Sequence, residues 1–189
     1  MNKRNGYLIS KALHTFMWAS ILSSVAQLLS TLVDAIVVSN LIGPDAISAV
    51  NVSVPVLSMV GCFAILPGIG GSIVAAKAMG LRNQDEANRV FSISLKATLI
   101  FGLFVSIAGY FLAPFLVGLI CPMGSRIYPL AATYLQIILI GMVFMLGAFT
   151  LQTFVKTDGN PKLVMGAVVI GCMVNLVFDI IFIKFFGTS

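Results

Sequence analysis

The chain alternates between long apolar runs and short polar connections. Apolar residues dominate five stretches, at about 13–42, 46–76, 91–120, 127–155 and 162–186. Each exceeds the roughly 20 residues that a helix needs to cross a bilayer. None shows the alternation of polar and apolar residues over about 9–11 positions that is typical of a membrane β-strand. The pattern therefore predicts an all-α, polytopic transmembrane helix bundle with five spans.

The connections carry turn residues. GPD at 43–45, CPMGSR at 121–126 and KTDGNP at 156–161 combine Gly, Pro and Asp, which favour turns over helix interiors. The segment GLRNQDEANR at 80–89 is predicted to be the longest polar link. Helix 2 contains Pro55, Pro67 and the sequence PGIGGS, which predict an interrupted helix. The two prolines are candidates for a hinge, and a packing kink is the alternative interpretation.

Composition supports a membrane setting. Hydrophobic residues make up 59% of the chain, charged residues only 9%, and the mean hydropathy is +1.08. A soluble domain carries roughly 25% charged residues, because its surface faces water. The first apolar run is far longer than the roughly 7–15 residues of a signal-peptide core, so we expect a mature span and no cleavable leader.

The net charge of +5 follows from the placement of Lys and Arg. If the N-terminus is cytoplasmic, nine of the eleven lie on the inner side, which is the positive-inside pattern of an inner-membrane protein. The charge therefore needs no nucleic-acid partner. His14, beside Phe16 and Trp18, is predicted to anchor the inner boundary. The inner positions are Lys3, Arg4, Lys11, Lys77, Arg82, Arg89, Lys96, Lys156 and Lys162, and the outer ones are Arg126 and Lys184.

Two carboxylates interrupt otherwise apolar spans. Asp34 lies nine residues before Gly43, the predicted end of helix 1, and Asp179 lies eight residues before Gly187, the predicted end of helix 5. At about 1.5 Å per residue, both are expected roughly 12–14 Å below the outer helix ends. Helices 1 and 5 run in the same direction, so the two acids share one depth. If these helices are neighbours, the acids form one polar pocket.

Other polar side chains accompany the acids. Asn175 precedes Asp179 by four positions and Gln27 precedes Asp34 by seven, so each lies on the face of its acid. Thr31 is a candidate hydroxyl group one turn below the helix-1 acid. Gln152 gives helix 4 a polar group near its inner end.

Buried acids in a bilayer point to function. A charged Asp at the helix centre costs about 2.5–3.5 kcal/mol on insertion scales, so it normally faces a bundle interior or a water-filled cavity. Two such acids side by side are expected to take up and release a proton, or, with amide oxygens beside them, to hold a small cation. The alternative is that each Asp only hydrogen-bonds a neighbouring helix. The three cysteines lack metal-site spacing, so no dedicated metal site is predicted.

The two acids distinguish between three classes of membrane protein. A secondary transporter binds its coupling ion at polar breaks in apolar helices, which matches this pattern. Intramembrane aspartyl proteases carry their two acids in a YD and a GxGD motif. The contexts here are VD at 33–34 and FD at 178–179, so neither motif matches. A membrane scaffold subunit needs no buried acid. The sequence therefore predicts a transporter and not an enzyme.

Five motifs together resemble the multidrug and toxic compound extrusion (MATE) family. They are LVDAIVVSNLIG in helix 1, NVSVPV and PGIGGSIVAAKAMG in helix 2, TFVKTDGNPKL between helices 4 and 5, and NLVFD in helix 5. Their order and spacing cover about residues 20–187.

The resemblance implies a cation-coupled antiporter with two six-helix lobes, of which this chain is the first without its sixth helix. Asp34, Asn175 and Asp179 then bind the coupling H⁺ or Na⁺, and Gln27 matches a helix-1 polar position. The exported partner is a cationic drug-like molecule, and no other cofactor is implied. The chain departs from the family pattern in helix 4, where Gln152 and Thr153 replace asparagines.

A second departure concerns helix 1, where the usual proline is missing between Phe16 and Gln27. The resemblance also implies that the chain is a fragment whose second lobe is absent. The alternatives are a lipid-linked sugar flippase of the same superfamily, which should carry more Arg and Lys in its cavity, and a scaffold subunit. Five methionines are candidates for an adaptable substrate pocket: Met59, Met142, Met145, Met165 and Met173.

Overall fold

The computed structural model describes the backbone of residues 3–41 and 43–186 and the side chains of residues 10, 13–37, 39, 43–63 and 65–181. All regular structure in these ranges is α-helical, and each helix contains a stretch long and apolar enough to cross a membrane. The predicted five-span, all-α architecture is therefore confirmed. Gly187 and the side chains of Lys3, Arg4, Lys11 and Lys184 lie outside the described residues. The helices are α1 (Lys3–Leu41), α2 (Pro44–Gly80), α3 (Gln84–Ile120), α4 (Ile127–Thr157) and α5 (Pro161–Phe186).

The connection at 43–45 forms as predicted, whereas the link at 80–89 differs in extent. Gly43 has a φ of 98°, which suits glycine, and Pro44 occupies the first position of α2, where a missing N–H costs nothing. The predicted ten-residue link at 80–89 is wrong in extent, because α3 already begins at Gln84. The Glu86 N–H donates to the Asn83 side-chain oxygen over 3.1 Å, so this cap starts the helix two turns before its apolar part.

The predicted interruption of helix 2 is wrong. α2 continues as one helix through Pro55 and Pro67, and PGIGGS is part of it. Two of the three glycines of this segment serve close packing instead. A Cβ on Gly68 would lie 3.3 Å from the Thr150 hydroxyl oxygen, and one on Gly71 would overlap the Ser94 side chain. Positions three apart share one helix face, so these two glycines let neighbouring helices approach closely.

The chain divides into two compact units. The larger unit contains α2, α3 and α4, which all contact one another. Its core is apolar and centred on α4, with Leu135 and Leu139 almost fully buried beside Ala113 and Val117 of α3. A buried hydrogen bond of 3.0 Å between the Thr98 and Thr150 hydroxyls joins α3 to α4.

The smaller unit consists of α1 and α5, which pack directly against each other. The inward residues of α1 recur every three or four positions, which is the spacing of a single helix face. Most of them are small, so the two backbones lie close together. These residues are Ala19, Ser23, Ala26, Ser30, Asp34 and Val37.

Candidate functional site

The carboxyl groups of Asp34 and Asp179 meet in the α1–α5 unit. Each residue lies seven positions before the last residue of its helix, at Leu41 and Phe186 respectively. The two side chains lie within hydrogen-bonding distance of each other. α1 and α5 therefore run parallel in this unit, with the acids at the same level.

One oxygen of each acid lacks a hydrogen-bond donor. Asp34 Oδ1 and Asp179 Oδ2 are buried and have no hydrogen-bond partner. Two ionised carboxylates can only accept hydrogen bonds, so they cannot satisfy each other unless one group carries a proton or a cation lies between them. Both residues are otherwise half-exposed, which leaves a route for an ion.

No described cation neutralises the pair. Among the residues whose side chains are described, the ion pair within 4 Å joins Arg89 to Glu86 on the surface of α3, and none involves Asp34 or Asp179. In the same part of the chain, no group of three or more His, Cys, Asp or Glu side chains is arranged to hold a metal. Among the side chains that the structure describes, the two carboxylates thus have no basic partner.

The other predicted site residues surround the pair less closely. Asn175 is exposed on α5, one turn from Asp179, and Gln27 is exposed on α1. The Thr31 hydroxyl donates to the Gln27 carbonyl oxygen over 3.0 Å, so its proton serves its own helix rather than the acids.

The remaining predicted residues belong to the larger unit. Gln152 is half-buried on α4, Pro55 is exposed on α2, and Pro67 is half-buried on the same helix. The structure thus brings together the two acids in the smaller unit, while these three residues lie in the other unit.

A groove between α2 and α4 was only partly foreseen. It has a volume of about 460 Å³ and is lined by Met142 and Met145 together with Tyr134, Phe149 and Leu57. Two of the five candidate methionines therefore share one groove. The aromatic and aliphatic members were missed, because in the sequence they are ordinary apolar residues of helix interiors.

A polar contact in the larger unit was also missed. Pro114 interrupts the hydrogen-bond ladder of α3, and the side chain of Gln136 on α4 donates to the Tyr110 carbonyl oxygen over 3.2 Å. An amide in one apolar run and a proline in another are visible in the sequence, but their pairing is not.

Comparison with known proteins identifies the family of the chain. The MatE family model matches residues 19–181. The probable multidrug resistance protein YoeA of Bacillus subtilis is 24% identical over 188 residues, which cover 98% of this chain and 40% of the relative. The multidrug export protein MepA of Staphylococcus haemolyticus is 22% identical over 93% of this chain and 38% of its own length.

A solved structure agrees with this match. The outward-facing conformation of a multidrug resistance MATE family transporter of the MOP superfamily superposes with a TM-score of 0.83 at 29% identity. It covers 94% of this chain, and the chain covers 39% of that structure. The chain thus spans about two fifths of the length of the relatives it matches. Members of the family are transporters, so the prediction that the chain is not an enzyme is confirmed, as is the resemblance given above. The chain belongs to the MatE family of multi-pass membrane transporters.

Proposed function

We propose that this chain carries the ion-coupling site of a secondary active antiporter that exports cationic drug-like compounds. The observation that supports the proposal is the pair Asp34 and Asp179, whose buried oxygens have no donor of their own. Ion sites of secondary transporters lie within the bilayer at polar breaks in helices. A carboxylate pair in that setting binds a cation, because each carboxylate otherwise repels the other.

Either H⁺ or Na⁺ fits this pair as the coupling ion. A proton converts one carboxylate into a donor for the other, which removes both the repulsion and the missing hydrogen bond. Sodium instead needs several oxygen ligands, and we propose that Asn175 and Gln27 add amide oxygens to the pair. In both cases the bound ion halves the negative charge of the pair, which weakens its attraction for a cationic substrate, and the two cations therefore compete and exchange.

The α2–α4 groove is the substrate surface that we propose within the larger unit. Its volume of about 460 Å³ falls in the range of roughly 300–1,000 Å³ that is typical of small-molecule sites. Methionine side chains adapt to differently shaped ligands, and aromatic rings favour organic cations. Gln152 lies one turn beyond Phe149, at the edge of this surface, and is proposed to contact polar parts of the substrate.

The surrounding transporter is also part of the proposal. Relatives are about two and a half times as long as this chain, so we propose that a second lobe completes the transport cycle, in which Pro55 and Pro67 let α2 flex. The proposed location is the inner membrane of a prokaryote, with the N-terminus in the cytoplasm. Sequencing the gene beyond the codon for Ser189 tests whether a sixth helix and a similar lobe follow.

Neither alternative function is favoured by the structure. A sugar flippase binds an anionic pyrophosphate and is expected to bury Lys or Arg, whereas no Lys or Arg with a described side chain is buried. A scaffold subunit does not require two carboxylates within its membrane-spanning helices, so that function does not account for Asp34 and Asp179.

The test separates transport from folding. We expect Asp34→Asn and Asp179→Asn, made in the complete open reading frame, to reduce ethidium efflux from drug-sensitive cells to the level of cells without the protein. The same changes should stabilise the α1–α5 unit by about 1–2 kcal/mol, because the Asn amide donates to the remaining carboxylate. Thermal unfolding followed by the fluorescence of Trp18 in α1 measures that gain.

Asp45→Asn is the matched control, since Asp45 is an exposed carboxylate in the first turn of α2. It should leave efflux unchanged. Undiminished efflux in both site variants at normal expression would remove the proposed ion site. Replacing Na⁺ by K⁺ at fixed pH then distinguishes the ions, because only sodium coupling is lost in K⁺.

A further inference from the structure

The α1–α5 unit has a second polar feature at the end opposite the acids. A groove of about 380 Å³ lies between the two helices and is lined by residues of both. His14 and Thr15 of α1 and Lys162 of α5 line it near the helix starts. Trp18 and Leu22 on α1 and Met165 on α5 line its deeper part. At about 1.5 Å per residue, Trp18 lies roughly 24 Å along α1 from Asp34, so the groove is separate from the acid pair.

The polar and apolar ends of this groove follow the membrane boundary. The apolar runs of the sequence begin at about residue 13 in α1 and residue 162 in α5, so His14 and Lys162 lie at the edge of the hydrocarbon layer. Trp18 and Leu22 lie one and two turns deeper, and their side chains are 58% and 50% exposed along the groove. Tryptophan is enriched at this interfacial level. The groove is therefore polar at headgroup depth and apolar at acyl-chain depth.

The charge of the polar end is positive. Lys162 is a cation, the His14 ring supplies an N–H, and the first turn of α5 adds the positive end of a 26-residue helix. In the sequence of this unit the only acids are Asp34 and Asp179, both at the far end. No carboxylate in the unit therefore competes for an anion at this position.

We propose that this groove binds an anionic glycerophospholipid, with its phosphate against Lys162 and His14 and the start of one acyl chain against Trp18, Leu22 and Met165. Basic pockets between membrane helices bind anionic headgroups in this way. A soluble phosphate would leave the apolar end unfilled, whereas a lipid fills both ends. The proposal depends on the membrane-spanning fold and not on the proposed ion coupling.

The position of Trp18 supplies the test, because it is the only tryptophan in the sequence. The complete protein, with any tryptophan outside residues 1–189 replaced by Phe, is reconstituted at 0.15 M salt in phosphatidylcholine vesicles containing increasing fractions of dibrominated phosphatidylglycerol. In a companion series the bromines are on phosphatidylcholine and the phosphatidylglycerol is unlabelled. Bromine quenches a tryptophan that it contacts. We expect phosphatidylglycerol to be preferred at Trp18 by about fivefold, the effect of one Lys at a membrane surface.

Variants show whether the groove causes this preference. Lys162→Gln should lower the preference for phosphatidylglycerol over phosphatidylcholine to about one, and Lys162→Arg should retain the preference. Lys96→Gln is the matched control, because Lys96 is an exposed lysine on α3 in the other unit, and it should change nothing. Far-UV circular dichroism confirms that each variant is helical.

Three results would overturn the proposal. The first is equal quenching of the unchanged protein by both lipids, which needs no variant to fold. The second is an equal loss of preference in Lys162→Gln and Lys96→Gln, which would indicate general surface charge. The third is release of phosphatidylglycerol by millimolar glycerol phosphate, which would make the site one for soluble anions.

Discussion

Hydroxyl groups and carboxyl groups differ in whether these helices offer them hydrogen-bond partners. The hydroxyls of Ser23, Ser53 and Thr98 each donate to the carbonyl oxygen one turn earlier in the same helix, at 2.7, 3.0 and 2.9 Å. A helix always offers such acceptors, so a hydroxyl is satisfied wherever it lies. A carboxylate needs donors, and the N–H groups of a helix interior are already used. Among the described buried side-chain atoms, only oxygens of Asp34 and Asp179 are therefore without a partner.

A single side chain can also satisfy a backbone carbonyl that a proline leaves unpaired in a membrane helix. Pro114 has no N–H for the Tyr110 carbonyl oxygen, and an unpaired carbonyl in hydrocarbon is costly. Gln136 on α4 supplies that donor from 3.2 Å, and the Tyr128 hydroxyl donates to the Pro114 carbonyl oxygen from 3.0 Å. The proline in α3 and the polar side chains of α4 thus form one structural unit.

We expect Gln136→Leu to destabilise the protein by about 1–3 kcal/mol, because it leaves the Tyr110 oxygen unpaired. In a Pro114→Ala background the new N–H at position 114 binds that oxygen, and the same Gln136→Leu change should then cost close to nothing. Unfolding of all four proteins in mixed micelles, followed by far-UV circular dichroism, completes the cycle. An equal cost in both backgrounds would show that Gln136 does not serve the carbonyl freed by Pro114.

At the scale of elements, α2 shows how a segment rich in Pro and Gly remains helical. Its neighbours α3 and α4 both pack against it, including at Gly68 and Gly71, and that packing outweighs the low helix propensity of PGIGGS. Gly68 and Gly71 face these neighbours, whereas Gly70 has open space around its Cα. Adjacent glycines therefore have opposite structural roles.

This difference gives a paired prediction. Gly71→Ala should destabilise the protein by about 1–3 kcal/mol, since its Cβ would lie 2.8 Å from the Ser94 Cβ and force the two helices apart. Gly70→Ala should be neutral or stabilising by up to about 1 kcal/mol, because alanine is the better helix former. Denaturation in micelles compares the two variants. Ser94→Gly should restore the stability of Gly71→Ala, and a similar response of both glycines would contradict the packing role.

At the scale of the whole molecule, the five spans and the Lys and Arg pattern together predict the orientation in the membrane. In the predicted topology nine basic residues fall on one side and two on the other, and the positive-inside rule predicts that the side with nine is cytoplasmic. The α2–α3 connection should then lie inside and the α3–α4 connection outside. Asp85 and Gly124 are exposed in or next to these connections.

Cysteine labelling tests this orientation. In a background with Cys62, Cys121 and Cys172 replaced by Ala, a membrane-impermeant maleimide should label Gly124→Cys in intact cells. It should label Asp85→Cys only after permeabilisation. The reverse pattern would invert the topology and place the acid pair in the inner half of the bilayer.

The sequence by itself determined the number of spans, the helical class and the two acids, because each depends on local properties. The length of an apolar run is set by bilayer thickness, and an Asp within such a run is visible without any knowledge of packing. The equal depth of Asp34 and Asp179 also followed from helix rise alone.

Only the tertiary structure decided which residues meet. Helix propensity predicted a break at Pro67 that packing removes, and polarity predicted a loop at 84–89 that the Asn83 cap makes helical. The contact between Asp34 and Asp179 joins residues separated by most of the chain. Such pairings depend on which helix faces fit together, and lipid-facing and protein-facing positions are equally apolar in a membrane protein, so the hydrophobic pattern does not reveal them.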